Sequence, residues 1–291
     1  MKRMSSLLSA LCLAVLPLLV ATPAQAEPKT TLTIGLIPSE DSQAMVESSK
    51  QVLESLHQQT GLTIKPFVAT DYNGVIEALR SGKLDVAYLG PFSYALANQV
   101  ADAEAFAVAV TKKNNSSAYH SLIIVRKESD ISSLAQLKGH TFAFVDPSST
   151  SGHLFPKAAL QKAGYDTDKL FSRTVFSGSH DASILAVANK KVDAAAVADR
   201  ILASAIARGI VKQDDFKVVW TSSPIPESPM VWRKDLDPAT KEKLSKAFAN
   251  IKDLPWGDQG MLAGFQPTND AAYDIIRETA KVLDLDLRKM K

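Results

Sequence analysis

Hydroxyl side chains are concentrated in one short stretch of the sequence, DPSSTSGH at residues 146–153. Ser149, Thr150 and Ser151, called the hydroxyl turn below, lie between an apolar run that predicts a strand at 141–145 and a helical pattern that begins near Gly152. The first N–H groups of a helix have no partner within it, and the helix dipole adds partial positive charge there. Such a helix start can bind an oxyanion through neutral donors. Serine and threonine are also common N-caps, so capping alone is the alternative interpretation.

Catalytic and metal-binding motifs are absent from the sequence. It contains no GxSxG nucleophile elbow, no GxxxxGK[ST] phosphate loop and no HExxH zinc motif. Its five histidines show no repeated ligand spacing, so neither a metal nor another cofactor is predicted. A triad of Ser151, His180 and Asp181 can nevertheless be written. A secreted serine hydrolase that uses Ser151 and His180 is therefore the enzymatic alternative.

Other polar residues fall where predicted strands end or helices begin, which is where open α/β sheets bind their ligands. Each has a structural alternative as a core aromatic, a half-buried strand residue, an N-cap or the neighbour of an N-cap. Besides the hydroxyl turn, these candidate ligand-binding residues are Tyr72, Tyr88, Ser93, Tyr119, His180 and Asp199.

The N-terminus has the pattern of a secretory signal. Lys2 and Arg3 precede an apolar run at 7–20, and Ala24 and Ala26 are small residues at the positions that signal peptidase reads. We therefore predict cleavage after Ala26, which makes 1–26 a signal peptide, and a location in the periplasm. A membrane anchor is the alternative, but the run is shorter than the ~20 residues that a membrane span needs.

Cysteine content and charge exclude several classes of protein. Cys12 is the only cysteine and lies within the predicted signal, so the mature chain should have neither a disulfide nor a reactive thiolate. The chain has 33 basic and 31 acidic residues, and loss of Lys2 and Arg3 with the signal brings the two numbers level. A balanced charge argues against a nucleic-acid partner or an anionic membrane surface. A globular extracytoplasmic protein is the class that remains.

Strand and helix patterns alternate along the chain. Strands are predicted at 31–37, 62–68 and 84–89, with helices at 42–59, 73–80 and 92–99. This order predicts an α/β fold with a parallel, doubly wound sheet. A second α/β series follows between 131 and 221, with a predicted helix at 131–137, and polar or proline-rich crossings at 112–117 and 224–229 separate the two series. We therefore expect two lobes with the ligand in the cleft between them.

The predicted lobes are not equally continuous in sequence. Lobe 1 should comprise 27–116 and 222–291, and lobe 2 should comprise 117–221. Helices are predicted at 238–251, near 257–263 and at 269–283, and we expect all three to pack against lobe 1.

Six segments occur in a consistent order along the predicted mature chain: TDY at 70–72, DVAYLGPFSY at 85–94, DPSSTSG at 146–152, GSHD at 178–181, VAN at 187–189 and PESPMVWR at 226–233. In these segments the chain resembles the phosphonate and phosphite substrate-binding proteins of bacterial ABC importers. The resemblance implies a two-lobed periplasmic binding protein of type II rather than an enzyme. It also implies a monomer that binds a small phosphonate or phosphite and delivers it to a permease in the inner membrane.

The resemblance also implies roles for individual residues. In that family, hydroxyls and backbone N–H groups that match Ser149, Thr150 and Ser151 hold the phosphonate oxygens. Residues that match Tyr72, Tyr119 and His180 complete the shell around the oxyanion. Neutral donors at a helix start suit this task, because they satisfy the oxygens while the dipole complements the charge.

Two positions differ from the family pattern. Asp199 stands where relatives have glutamate, and a carboxylate there would favour a ligand with P–OH or an ammonium group. The acidic residue that meets the amine in 2-aminoethylphosphonate binders would fall near Ser228, where this chain has serine and places Glu227 one residue earlier. We therefore expect cargo choice at Glu227 and Ser228, and weak recognition of aminoethylphosphonate unless Glu227 turns inward.

A pocket without that carboxylate suits phosphite, methylphosphonate or another small phosphonate. A binding protein of the same fold for a sulfonate or a vitamin precursor is the other alternative.

Overall fold

The computed structural model describes residues 29–290; the predicted signal and Cys12 lie outside this range. In chain order, the strands are β1 (Thr31–Leu36), β2 (Thr63–Val68), β3 (Val86–Tyr88), β4 (Ala103–Thr111), β5 (Ala118–Tyr119), β6 (Ser121–Arg126), β7 (Thr141–Phe144), β8 (Arg173–Phe176), β9 (Ala194–Ala198), β10 (Phe216–Thr221), β11 (Ile225–Pro226), β12 (Pro229–Arg233) and β13 (Leu262–Pro267). The α-helices are α1 (Ser42–Thr60), α2 (Tyr72–Arg80), α3 (Pro91–Ala101), α4 (Phe155–Lys162), α5 (Thr167–Leu170), α6 (His180–Ala188), α7 (Asp199–Ala207), α8 (Pro238–Asn250) and α9 (Asp274–Val282).

Two large mixed sheets organise these elements. The first has the strand order β13-β4-β12-β3-β1-β2, and the second has the order β10-β6-β9-β7-β8. In each sheet three neighbouring strands are parallel, β2-β1-β3 in the first and β9-β7-β8 in the second, and the other pairings are antiparallel. The predicted α/β class is confirmed. A purely parallel sheet is not found, because strands after the crossings return antiparallel to the first series.

A small third sheet lies on the crossings between the two large ones. Here β5 pairs antiparallel with β11, which brings Tyr119 opposite Ile225 and Ala118 opposite Pro226. One of these strands precedes the second sheet in sequence, and the other follows it. The chain therefore passes between the large sheets along two paired segments that lie side by side.

Alternating apolar residues place the first sheet between two helical layers. Leu32, Ile34 and Leu36 of β1 are fully buried in one core cluster with residues of α1 and α8. The opposite face packs against α2 and α3, in a cluster that continues into the helices of the second sheet. Polar residues that interrupt this shared core are therefore held between the two sheets.

Two predicted helices are wrong. Residues 257–263 form only a 3₁₀ turn at Gly257–Gln259, and the next residues enter β13 because pairing with β4 determines their conformation. Residues 131–137 form only a 3₁₀ turn at Leu134–Leu137. The side chains of Ser132 and Ser133 hydrogen-bond to Gln136, which competes with a regular helix at that point.

The last helix also differs from expectation, because α9 packs against α3 and against α4 near the second sheet. Gln161 on α4 donates from Nε2 to the carbonyl of Val282 on α9, at 2.9 Å. No helix within the described range is both long and apolar enough to cross a bilayer.

Candidate functional site

The hydroxyl turn lies where β7 ends, and a π-helical turn at Thr150–Leu154 leads from it into α4. Its three residues are each at most 2% exposed. Ser149 is the N-cap, since its Oγ accepts the Gly152 N–H at 3.1 Å. Thr150 and Ser151 follow the cap and belong to the first turn itself. Capping therefore accounts for Ser149 and leaves the other two hydroxyls to be explained.

Gly152 fixes the position of the hydroxyl turn against the end of the strand. A Cβ atom here would lie 2.4 Å from Cβ and Cγ2 of Val145 and 2.8 Å from Ser149 Oγ. The Gly152 carbonyl also accepts the Val145 N–H at 3.0 Å. Any larger residue would have to move the turn away from Val145, so the hydroxyls can lie where they do only because this residue is glycine.

Thr150 connects the turn to a second helix start. Its Oγ1 accepts the buried Phe92 N–H at the beginning of α3, at 2.8 Å. The Ser93 hydroxyl, one residue further on, donates to the Ser148 carbonyl at 2.9 Å. The N-cap residue of α3 is Gly90, which has no side chain to cap the helix. The positive ends of two helices therefore meet at one hydroxyl, and both dipoles favour negative charge there.

Three buried tyrosines surround this point: Tyr72 begins α2, Tyr88 lies on β3 and Tyr119 lies on β5. Burial raises the pKa of each hydroxyl, to about 12 for Tyr119, so all three are neutral O–H groups at physiological pH. The Tyr119 hydroxyl interacts with the side chains of Ser151 and Thr150. Tyr119 is therefore placed as a neutral donor beside the hydroxyl turn.

The other two tyrosines differ in their partners. The Tyr72 hydroxyl is buried beside the Ser149 side chain, yet it makes no well-formed hydrogen bond with any described residue. A buried hydroxyl in this condition is unfavourable, so it favours a ligand oxygen as partner. The Tyr88 hydroxyl instead accepts from Gln259 Nε2 at 2.9 Å, and its ring packs edge-on against Trp256. Tyr72 therefore fits the predicted role better than Tyr88 does.

His180 begins α6 and is 3% exposed. Its Nδ1 accepts the Ala198 N–H at 3.0 Å, so the ring proton must be on Nε2. Burial, with a smaller contribution from Arg200, lowers the pKa of His180 to about 3. The imidazole is therefore neutral at physiological pH and presents an N–H donor.

Asp199 is not brought together with the hydroxyl turn. Its Oδ1 accepts the N–H of Arg200 at 2.8 Å, and its Oδ2 lies 3.1 Å from Nδ1 of His120. The side chains of Asp199 and His120 are 34% and 38% exposed. The carboxylate is therefore engaged at the start of α7 and with a partly exposed histidine. It does not cap the helix, because the N-cap residue is Ala198 and no side-chain cap hydrogen bond is formed.

Glu227 turns inward. It is 1% exposed, and its Oε1 accepts the Ser228 N–H at 2.7 Å and lies 3.2 Å from Nε of Arg200. The Glu227 carbonyl accepts from the Tyr273 hydroxyl at 3.0 Å. The inward carboxylate is thus already paired with a cation.

Arg200 is the residue that sequence reasoning missed. Its Nη2 donates to Ser228 Oγ at 3.2 Å, and its Cζ lies 4.6 Å from the centre of the Tyr119 ring. One signal could have found it, because an arginine in the first turn of a helix lies at the end of the dipole that disfavours a cation. Arg200 follows the buried strand β9 and stands in the first turn of α7. A cation in this unfavourable position requires a compensating partner or ligand.

A cavity of about 410 Å³ opens beside this group. Tyr119, Arg200 and Glu227 are among its lining residues, and the serine and threonine residues of the hydroxyl turn are not. Tyr119 therefore lines this cavity, and its hydroxyl interacts with the side chains of Ser151 and Thr150. In the described part of the chain, no cluster of three or more histidine, cysteine or acidic side chains is arranged to bind a metal.

A second polar group bridges the two sheets away from the turn. Glu40, which follows β1, lies 3.5 Å from Nη2 of Arg208, and the same nitrogen lies 2.9 Å from Asp181 Oδ2. The Ser39 carbonyl accepts the His180 N–H at 2.9 Å. Burial raises the pKa of Glu40 to about 7, against a smaller opposing effect of Arg208. The folded arrangement therefore favours protonated Glu40.

The Glu40→Gln variant should stabilise the protein at pH 8. Because the folded pKa exceeds the unfolded value of 4.5, the contribution of Glu40 is greatest below pH 4.5 and is lost as the pH rises through about 7. The charged carboxylate is then buried, so the variant should gain on the order of 1–3 kcal/mol at pH 8 and little at pH 4.5. Thermal unfolding at both pH values measures the difference. Glu47→Gln, an exposed change on α1, is the control. An equal gain in stability of Glu40→Gln at both pH values would contradict the raised pKa of Glu40.

Two α/β sheets joined by paired crossings, with polar groups buried between them, define the fold of two-lobed periplasmic binding proteins. The family model for the periplasmic substrate-binding proteins of phosphonate ABC transporters matches residues 34–273. The chain belongs to this family.

Relatives and solved structures agree with this assignment. The chain is 35% identical over 239 residues to the phosphonates-binding periplasmic protein of Escherichia coli K12, covering 80% of this chain and 70% of that protein. It is 32% identical over 284 residues to the phosphate-import protein PhnD of Mycolicibacterium smegmatis, covering 90% and 88%. The crystal structure of a binding component of an ABC phosphonate transporter from Pseudomonas aeruginosa is similar with a TM-score of 0.80 and 34% identity, covering 87% and 86%. Members of the family are transport proteins rather than enzymes.

Proposed function

We propose that this protein is the extracytoplasmic substrate-binding component of an ABC importer and binds a small phosphorus oxyanion at the hydroxyl turn without chemical change. The observation that carries the proposal is the position of Thr150 between two helix starts, where its hydroxyl accepts the Phe92 N–H. A tetrahedral oxyanion offers several acceptor oxygens, and the neutral hydroxyls of Ser151, Tyr72 and Tyr119 are donors suited to them. The names of the relatives support phosphonate or phosphate as the cargo class.

The hydrolase alternative requires Ser151, His180 and Asp181 to act together. His180 Nδ1 is occupied by the Ala198 N–H, and the low pKa of its ring makes it a poor general base near neutrality. Asp181 pairs with Arg208 through both carboxylate oxygens. These contacts favour binding over hydrolysis.

The lobe boundaries at 27–116, 117–221 and 222–291 form part of the proposal, with the β5–β11 pair as the hinge. The hinge pairs the two crossings, while the Thr150–Phe92 and Arg208–Glu40 contacts join the sheets elsewhere. We place the protein in the periplasm as a monomer that delivers its cargo to an inner-membrane permease. A signal peptide at residues 1–26 fits this location.

Phosphorus oxyanions should raise the melting temperature of the protein. A ligand at 100 times its Kd adds about 2.7 kcal/mol, which corresponds to a shift of roughly 5–10 °C for a domain of this size. A thermal-shift panel of phosphite, methylphosphonate and phosphate, with taurine and alkanesulfonates as controls, measures this effect. A shift with sulfonates alone would identify the cargo as a sulfonate. No shift with any phosphorus oxyanion would overturn the proposed function.

A further inference from the structure

The side chain of Arg200 places a permanent positive charge inside the proposed binding site. Only 14% of this side chain is exposed, and its guanidinium contacts Glu227, Ser228 and the ring of Tyr119. Burial would lower its pKa, but the neighbouring Glu227, with smaller contributions from tyrosines, raises it above its ordinary value. Arginine remains charged under these conditions. Any cargo in the cleft therefore experiences this cation.

The guanidinium is one aromatic ring away from the hydroxyl turn. Its Cζ lies 4.6 Å from the centre of the Tyr119 ring, and the hydroxyl of the same tyrosine interacts with Ser151 and Thr150. A short substituent on a phosphorus group at the hydroxyl turn could thus extend along Tyr119 to Arg200. Tyr119 and Arg200 both line the cavity of about 410 Å³, which provides space for such a substituent.

The charged groups that line this cavity favour a negative substituent. Its carboxylates are Asp199, which lies 3.1 Å from Nδ1 of His120, and Glu227, which lies 3.2 Å from Nε of Arg200. Its cationic side chains are Lys113, Arg200 and Arg208, of which Arg208 is itself paired with Asp181 and Glu40. Each carboxylate already has a basic neighbour. An ammonium group would add a further cation next to Arg200, and like charges repel strongly at such distances in a desolvated site.

We propose that Arg200 selects the cargo: the site takes small phosphorus oxyanions whose short substituent carries a second anionic group, such as a carboxylate, and disfavours those that carry an ammonium group. This inference rests on the proposed function and specifies its substrate class. A guanidinium has five N–H donors in a planar fork, so it can hold more than one acceptor and suits a carboxylate. Glu227 and Ser228 orient the guanidinium, and Tyr119 supports its face.

The test compares two ligands of similar size and opposite substituent charge. Phosphonoacetate should bind the wild-type protein roughly 10- to 100-fold more tightly than 2-aminoethylphosphonate, as expected for one charge-assisted hydrogen bond. Titration calorimetry on the full mature protein gives both Kd values, and methylphosphonate serves as a reference with an uncharged substituent. The Arg200→Gln variant should abolish or reverse the preference, since Glu227 would then lack its cation. The Arg200→Lys variant should keep part of it.

Arg173→Gln is the matched control, because it removes the same charge from an exposed residue at the start of β8. It should leave the ratio of the two Kd values unchanged. The ratio does not depend on the fraction of variant protein that folds, and Arg200→Lys provides a second test if Arg200→Gln unfolds.

The role of Arg200 would be overturned if the wild type bound 2-aminoethylphosphonate more tightly than phosphonoacetate, or if Arg200→Gln left the ratio of the two Kd values unchanged. In either case, binding of methylphosphonate would still support the proposed function. Failure of all three ligands to bind would overturn the proposed function itself, and the inference with it.

Discussion

The Gly152→Ala variant should lose both stability and oxyanion binding. The added methyl group would lie 2.4 Å from two carbons of Val145, closer than carbon atoms in proteins approach each other. The turn must then move away from the strand end, and such overpacking costs about 1–3 kcal/mol of folding free energy. Because Thr150 and Ser151 move with it, affinity for methylphosphonate should fall at least about tenfold. Chemical denaturation and calorimetric titration measure the two effects.

Gly90→Ala is a suitable control for the stability measurement. Its added Cβ would lie 3.5 Å from Thr150 Oγ1 and 3.6 Å from both Ile37 Cδ1 and Ser93 Oγ, which are ordinary contact distances. The free energy of unfolding of this variant should change by less than about 1 kcal/mol. If Gly152→Ala were as stable as Gly90→Ala and bound normally, the close approach to Val145 would not determine the position of the hydroxyl turn.

The Thr150→Val variant should weaken binding of methylphosphonate by roughly 1–3 kcal/mol, because it keeps the shape of threonine and removes the hydroxyl. The same change leaves the buried Phe92 N–H without its acceptor. The closed form, in which this bond joins the two sheets, should therefore also be less stable. In the native protein the hydroxyl accepts from Phe92 and can donate its proton to a ligand oxygen, and each bond strengthens the other. Calorimetry and thermal unfolding with and without ligand report both effects.

Thr150→Ser keeps the hydroxyl and should bind nearly as well as the wild type. Equal affinity of Thr150→Val and the wild type for every phosphorus oxyanion would show that this hydroxyl does not contact the cargo.

Local patterns were sufficient to predict much of the fold. The alternation of Leu32, Ile34 and Leu36 predicts a strand with one strongly buried face, and α1 begins at the predicted Ser42. The helix near 257–263 was predicted wrongly because the conformation of β13 depends on pairing with β4, about 150 residues earlier in the chain. No local pattern contains that information.

The candidate site, like the fold, was predictable only where local patterns determine it. Hydroxyls at a predicted strand end indicated the turn, and the structure places Tyr119 and Tyr72 beside it. The sequence could not show that Asp199 turns to His120 while Arg200 turns inward, because two adjacent residues at a helix start point in different directions. The inward orientation of Glu227 was likewise an open question, and it depends on tertiary pairing with Arg200.

The small β5–β11 sheet, as the hinge that we propose, has a consequence for how the cargo contacts form. Atoms near a pivot move little when lobes rotate, and Tyr119 lies on this pair while Glu227 follows it directly. With this hinge, we expect the two residues to move little between open and closed forms and to be in place for the incoming cargo. Thr150 joins the two sheets through its contact with Phe92, so we expect this contact to form when the lobes close and to break when they open. We therefore expect changes at Thr150 to alter the rate of cargo release more than changes at the β5–β11 pair.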